Sequence, residues 1–253
     1  MDLNKIFKDI YVIMKKRASF LVIMLLACLC VMAQPPRFLT TETQPNSLKF
    51  LQTPPSTIDR LFYNDWSQYE WGKSVRNSEA GALAAYDAHH GAWYNLCEVF
   101  ADQFGLQVTE KDTPAIYEVM SRSVTDAHQV NKYAKNYYRR TRPFVQFNEP
   151  SLVPEKEEEE RTDFSYPSGH AARGWMVAFI LSEINPEATA DIFARAVTFG
   201  QGRVIAGYHY QSDVEASRLV AMATFIALHG NAEFCAKMAA AKAEYARLKR
   251  EMQ

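Results

Sequence analysis

The sequence predicts an all-α protein, on three observations. Apolar residues recur at helical spacing through most of the chain after residue 56. No segment sustains the strict alternation of a half-buried strand. The periodic segments are also bounded by helix punctuation, with Pro, Ser, Thr or Asp before them and Gly or Pro after. With 253 residues, 48% hydrophobic and 23% charged, the chain can bury one large core or two smaller ones. A net charge of −1 leaves no electrostatic footprint for nucleic acid. No internal repeat is visible.

Taken in order, residues 1–33 read as a secretory signal peptide. Lys15, Lys16 and Arg17 precede an apolar run from Phe20 to Met32 that ends in small residues at Ala33. The run is short for a membrane span, which predicts export to the periplasm or beyond and no stable membrane insertion once the signal is removed. Leu25-Leu26-Ala27-Cys28 loosely resembles a lipobox, but the apolar stretch continues past Cys28, so lipoprotein anchoring there is the weaker reading. Met14-Lys15-Lys16-Arg17 would make a better start than Met1, which leaves the initiation site open. Residues 34–55 carry Pro35, Pro36, Pro45, Pro54 and Pro55 and read as an extended arm over the domain or a partly disordered lead-in.

The helical domain is expected over 56–253. Ile58, Leu61, Phe62 and Trp66 mark a helix over 56–70, and the alanine-rich stretch 78–104 ends at Gly105, a good C-cap. Thr113-Pro114 opens a helix carrying Ile116, Val119, Met120 and Val124, which could run to about Arg140 before Pro143 closes it. Residues 148–163 read as a loop rich in glutamate. Helices follow from Ser168 to Asn185-Pro186, from Pro186 through Phe199, from Ser212 or Asp213 through Phe225, and from Ala232 to the end. Cys97 and Cys235 lie in helical patterns, where one disulfide and two free thiols are equally compatible.

Three clusters carry chemistry: Lys135 to Pro143, read as K-x6-R-P; Ser165 to His170, containing P-S-G-H; and Arg203 to Asp213, read as R-x5-H-x3-D. Pro167 and Ser168 suit a helix start, whose unpaired N–H groups and dipole favour an anion. Gly169 allows close approach to that backbone. Lys135 and Arg142, seven apart, could share one helix face, and with Arg203 they would neutralise a phosphate dianion. His209 and Asp213, four apart, could place a carboxylate on one ring nitrogen, leaving the other as nucleophile. His170 is a group able to give or take a proton near neutral pH.

These three motifs, in this order and spacing, resemble the type 2 phosphatidic acid phosphatase superfamily, which includes the vanadium haloperoxidases. The stretches Ser165 to Ala171 and Phe199 to Arg218, with weaker similarity over Tyr69 to Ala88, look most like its class A bacterial non-specific acid phosphatases. The resemblance covers most of the chain after about residue 50. It implies a single helical bundle and hydrolysis of small phosphate monoesters with broad specificity. It also implies attack by His209 to form a phosphohistidine, protonation of the leaving group and then activation of water by His170, and orientation of His209 by Asp213. Phosphate would be held by Lys135, Arg142, Ser168, Gly169 and Arg203. No metal or other cofactor is implied, and vanadate is expected as an inhibitor that mimics the transition state. A homo-oligomer is left open.

The sequence departs from the family pattern at three points. Gly202 stands where a serine is usual, and Phe164 and Ala171 replace the ends of G-S-Y-P-S-G-H-T. These changes bear on substrate preference more than on the reaction. His89, His90, His128 and His229 lack zinc-site spacing and read as surface or core histidines. Glu157 to Glu160 read as a solvated loop, with an electrostatic filter for highly charged substrates as the sharper alternative. Within the superfamily, a lipid phosphatase and a vanadium haloperoxidase are the rival activities. A non-catalytic phosphate binder would need the cations but neither histidine.

Overall fold

The computed structural model describes residues 35–252, and no strand occurs among them. The expected signal peptide, the lipobox reading at Cys28 and the choice between Met1 and Met14 lie outside the described residues. Eight helices are labelled here: α1 (Phe62–Ser74), α2 (Glu79–His89), α3 (Pro114–Tyr138), α4 (Glu157–Arg161), α5 (Gly169–Ile184), α6 (Thr189–Ile205), α7 (Gln211–Leu228) and α8 (Ala232–Glu251). Single turns at Leu96–Val99, Ala101–Phe104 and Pro143–Gln146 join them.

The bundle is built around α5. That helix is apolar on nearly every face, from Ala171 to Ile184, so it must be covered on all sides. α3, α6 and α7 cover it. Small residues allow the close approach: a Cβ on Gly174 would lie 2.4 Å from the Phe199 ring of α6. The principal core joins α5 to Ile116, Val119, Met120 and Val124 of α3 and to Phe234 and Met238 of α8.

The lead-in is an arm over the domain from Phe38 onward. Phe38 and Leu39 are buried, and their N–H groups donate to the two Asp126 carboxylate oxygens on α3 at 2.9 and 3.2 Å. The Phe38 ring meets Phe234 edge-on at 5.5 Å and carries the Arg122 guanidinium at 3.7 Å.

Several boundaries differ from the sequence reading. α1 starts at Phe62 and not at 56, leaving Ile58 and Leu61 exposed. The stretch 78–104 is not one helix. α2 ends at His89, and Gly91 then passes against His170, where a Cβ would lie 1.9 Å from the ring. Gly105 does close the last turn in the left-handed region, at φ 79°. α3 ends at Tyr138, with Arg139 at φ 46°, so Arg142 lies beyond it in extended backbone and does not share a helix face with Lys135. The stretch 148–163 is helical over Pro154–Lys156 and Glu157–Arg161, where it was expected to be loop. Cys97 is buried and Cys235 exposed, and both are free thiols; burial pushes the Cys97 thiol up to about 12.

Candidate active site

Ser168 caps α5 as its sequence implies: its side chain accepts from the Ala171 N–H at 3.3 Å. Gly169 and His170 open the helix beside a cleft of about 480 Å³. Lys135, Arg142, Gly169, His170, Arg203 and His209 all line that cleft. Ser168 is fully buried and serves the cap, outside this lining.

Arg203 reaches the cleft from the last turn of α6. Gly207 then reverses the chain in the left-handed region, at φ 83°. That turn lets the Tyr208 and His209 N–H groups both donate to the Arg203 carbonyl, at 3.1 and 3.2 Å. Arginine and imidazole are thus fixed to each other through the backbone. The Arg203 guanidinium lies over the Tyr208 ring at 4.6 Å, and its Nε and Nη1 are buried without a protein partner among the described residues.

Arg142 Nη1 lies 3.0 Å from His209 Nε2. A guanidinium only donates, so Nε2 accepts and the ring proton sits on Nδ1. Nδ1 faces Asp213 Oδ2 at 3.4 Å and Ser165 Oγ at 3.5 Å. Ser165 Oγ also donates to Asp213 Oδ2 in a short contact, so the hydroxyl shares the space between ring and carboxylate. Asp213 is held in turn by the Tyr210 N–H at 2.8 Å and by Arg140 Nη1 at 2.6 Å, and Arg140 Nη2 bonds Asp65 at 2.7 Å. The pair four apart in sequence is therefore brought together, with His209 just before α7 and Asp213 in its first turn. Burial, then the Arg142 and Arg203 charges, pull the His209 pKa well below its ordinary value.

His170 is in the wall of the cleft, but its Nε2–H donates to the Asp87 carbonyl at 2.8 Å. Its ring stacks on Phe199 at 4.6 Å. Burial, then the Arg203 and Arg173 charges, hold it well below the usual imidazole pKa.

Two carboxylates lie on the cation cluster. Asp163 Oδ2 accepts from Lys135 Nζ at 2.8 Å and from Arg142 Nη2 at 3.1 Å. Glu160 bridges Arg142 Nη2 at 2.5 Å and Arg203 Nη2 at 2.8 Å. Burial favours protonation of Glu160, yet Arg203 and then Arg142 outweigh it and hold the carboxyl down to about 2. The Lys135 ammonium is pulled down to about 8 by burial and then by Arg142, against the Asp163 charge.

The acidic run is therefore not one solvated loop. Glu157 accepts from the Ser151 N–H at 2.7 Å, Glu158 and Glu159 are exposed, and Glu160 is seated on two arginines. The sequence reads His128 as an ordinary surface or core histidine, yet it lines the cleft, where burial and then Arg173 pull it down to about 3. His90 stacks on Tyr86, and His229 is exposed beside Glu183.

Sequence reasoning missed Asp163, Arg140, Asp65, Arg173 and the place of His128 in the cleft, and it named Glu160 only as one of four glutamates in a possible filter. Only Arg173 had a local signal, lying three residues after His170 and so on the same helix face. Among the described residues no three His, Cys, Asp or Glu side chains converge as metal ligands. No single helix among them is long and apolar enough to cross a membrane.

Comparison with known proteins agrees with this geometry. The family pattern described as PAP2 superfamily matches residues 120–234, which span Lys135 to Asp213. The chain is 40% identical over 214 residues to a non-specific acid phosphatase of Providencia stuartii, covering 84% of this chain and 86% of that one. It is 38% identical to a non-specific acid phosphatase of Salmonella typhimurium, covering 76% of each chain. It is 31% identical to an acid phosphatase of Zymomonas mobilis, covering 81% of this chain and 80% of that one.

Proposed function

The chain belongs to the PAP2 superfamily and within it to the non-specific acid phosphatases, and from that premise we propose an exported phosphatase of broad specificity that works through a phosphohistidine on His209 without a metal ion. That the protein is a phosphatase follows from the family; the mechanism and the breadth are the proposal. The observation that carries it is Arg203, a fully buried arginine that lines the cleft with His209 and whose Nε and Nη1 donors have no protein partner among the described residues. Buried donors of this kind suit phosphoryl oxygens, which accept in a fork.

In this reading Lys135, Arg142 and Arg203 neutralise the dianion, and the Gly169 N–H at the start of α5 adds a backbone donor. With Nδ1 protonated and facing Asp213, the Nε2 lone pair of His209 attacks phosphorus once Arg142 Nη1 transfers to a phosphate oxygen. The phosphorus–ester bond breaks, and His170, in its protonated form with Nε2–H kept on the Asp87 carbonyl, gives the leaving oxygen its Nδ1 proton. His170 then takes a proton from water as water breaks the phosphorus–nitrogen bond. Export rests on the basic and apolar pattern of residues 1–33. A panel of monoesters assayed on the purified protein tests breadth and metal use together. Several unrelated esters are expected to turn over, with rates unchanged by strong chelation. Turnover of a single ester would overturn the breadth, and loss in chelator restored by one metal would overturn the metal-free mechanism.

The same reading assigns Glu160 a role. Its carboxylate occupies donors of Arg142 and Arg203 that phosphate would use, so substrate must compete with it. Glu160→Gln keeps the shape and removes the charge. Inorganic phosphate is then expected to inhibit at about tenfold lower concentration, the scale of one hydrogen bond to a charged group. An unchanged or weaker inhibition constant would mean that Glu160 supports the clamp and does not compete for it.

A further inference from the structure

The cleft extends beyond the three cations assigned to phosphate. Its further wall carries His128 and Lys132 on α3 and Arg173 on α5, with Asn131, Asn136 and the exposed Glu159 also on the lining. His128, Lys132 and Lys135 follow one another at spacings of four and three, so they lie along one face of α3. At the start of α5, Gly169 and His170 stand four and three residues before Arg173, so each neighbours it across one helical turn. The two faces meet at Gly169, where a Cβ would lie 3.8 Å from His128 Nδ1.

Arg173 is the unusual member. Its Nη1 donates to His128 Nδ1 at 3.3 Å, and its buried Nε has no partner among the described residues. Burial and then the Arg203 charge pull it down to about 10, so it is cationic at any pH near neutrality. Glu160 and Asp163 are near enough to favour its charge, but both are bonded to Arg142, Arg203 or Lys135. A neutral histidine fixes the guanidinium plane without neutralising it. Placing a cation in a cleft without its own carboxylate is costly unless an anion meets it.

We propose that Arg173, oriented by His128 and assisted by Lys132, is a second anion subsite. It selects monoesters whose leaving group itself carries a phosphate or carboxylate. The inference rests on the phosphatase reading for its substrates, but the subsite is a binding claim that can be read without turnover. The reacting phosphoryl group sits on Arg203, Arg142 and Lys135, and the leaving group extends along α3 toward Lys132 and Arg173. A second phosphate would meet the Arg173 guanidinium and the Lys132 ammonium, and a carboxylate would meet the guanidinium fork.

The test is calorimetric binding of non-hydrolysable phosphonates to the full protein. Propane-1,3-bisphosphonate and 3-phosphonopropionate are compared with propylphosphonate, which has the same chain length and no second anionic group. Wild type is expected to bind one or both of the ligands with two anionic groups at least about tenfold more tightly than propylphosphonate, one hydrogen bond to a charged group. Which of the two gains more distinguishes phosphate from carboxylate. Arg173→Met should abolish that difference while propylphosphonate binding is unchanged, which also reports an intact fold. Arg173→Lys should retain part of it. The proposal is overturned if wild type shows no preference for either ligand, or if Arg173→Met weakens all three ligands equally. If the preference holds but the corresponding esters are not hydrolysed, the reaction assignment fails and the subsite stands.

Discussion

His209→Ala is expected to lose turnover on every monoester by at least about a hundredfold, ~3 kcal/mol, while phosphate and vanadate still bind. The reason lies in the ring's two sides. Nδ1 faces Asp213 and Ser165, and Nε2 accepts from Arg142 in the cleft. Alanine removes the proposed nucleophile and leaves Lys135, Arg142 and Arg203 in place. It also releases Arg142 Nη1 from its bond to the ring, so anion affinity should be kept or should rise. Steady-state rates together with a vanadate-binding titration check both halves. Turnover within about tenfold of wild type would remove His209 from the mechanism, since the whole covalent route depends on that nitrogen. Loss of vanadate binding along with turnover would show instead that the ring holds the cation cluster in shape.

The features that made this site legible in the sequence were those whose spacing survives folding. The pair four apart, His209 and Asp213, is close in space although His209 lies outside α7. The Ser168-Gly169-His170 start of α5 was equally readable, because a cap is a local device. What was not legible depends on contacts between distant segments. Lys135 and Arg142 do meet, but through Asp163, because α3 stops at Tyr138 and the chain turns at Arg139. Glu160 was indistinguishable from its three neighbours until α4 turned it onto Arg142 and Arg203. Arg140 looked like one more cation beside the motif, yet it joins Asp213 to Asp65 across seventy-odd residues.

Glycines explain two further differences. Where the chain breaks after α2, Gly91 leaves room for the His170 ring, which a side chain there would strike. No periodicity in 78–104 encodes that contact. Gly202, where the family pattern has serine, has room for a side chain: a Cβ there would lie 3.4 Å from Ala84 and 3.8 Å from Asp87 Oδ2. A serine hydroxyl at 202 would thus face the residue whose carbonyl holds His170. The departure therefore touches the surroundings of His170.

His170→Ala is expected to separate leaving groups. An alkyl phosphate expels a strongly basic alkoxide and needs a proton as the bond breaks, whereas an aryl phosphate with an acidic phenol needs little. Loss on the alkyl ester should reach about a hundredfold or more, the usual worth of a positioned proton donor, and should be far smaller on the aryl ester. The geometry adds a pH dependence. His170 is neutral in this arrangement, with Nε2–H on the Asp87 carbonyl and its pKa well below the ordinary value. The protonated acid form therefore gains population as pH falls, and a bound phosphate dianion would favour it further. Wild-type kcat/KM for the alkyl ester should rise toward acid pH, and the variant should lose that rise while the aryl ester's profile changes little. Paired pH profiles on the two esters measure this directly. If both substrates lose the same factor at every pH, His170 is not the proton donor. Its part would then be structural, an imidazole stacked on Phe199 and bonded to α2, filling the space against Gly91.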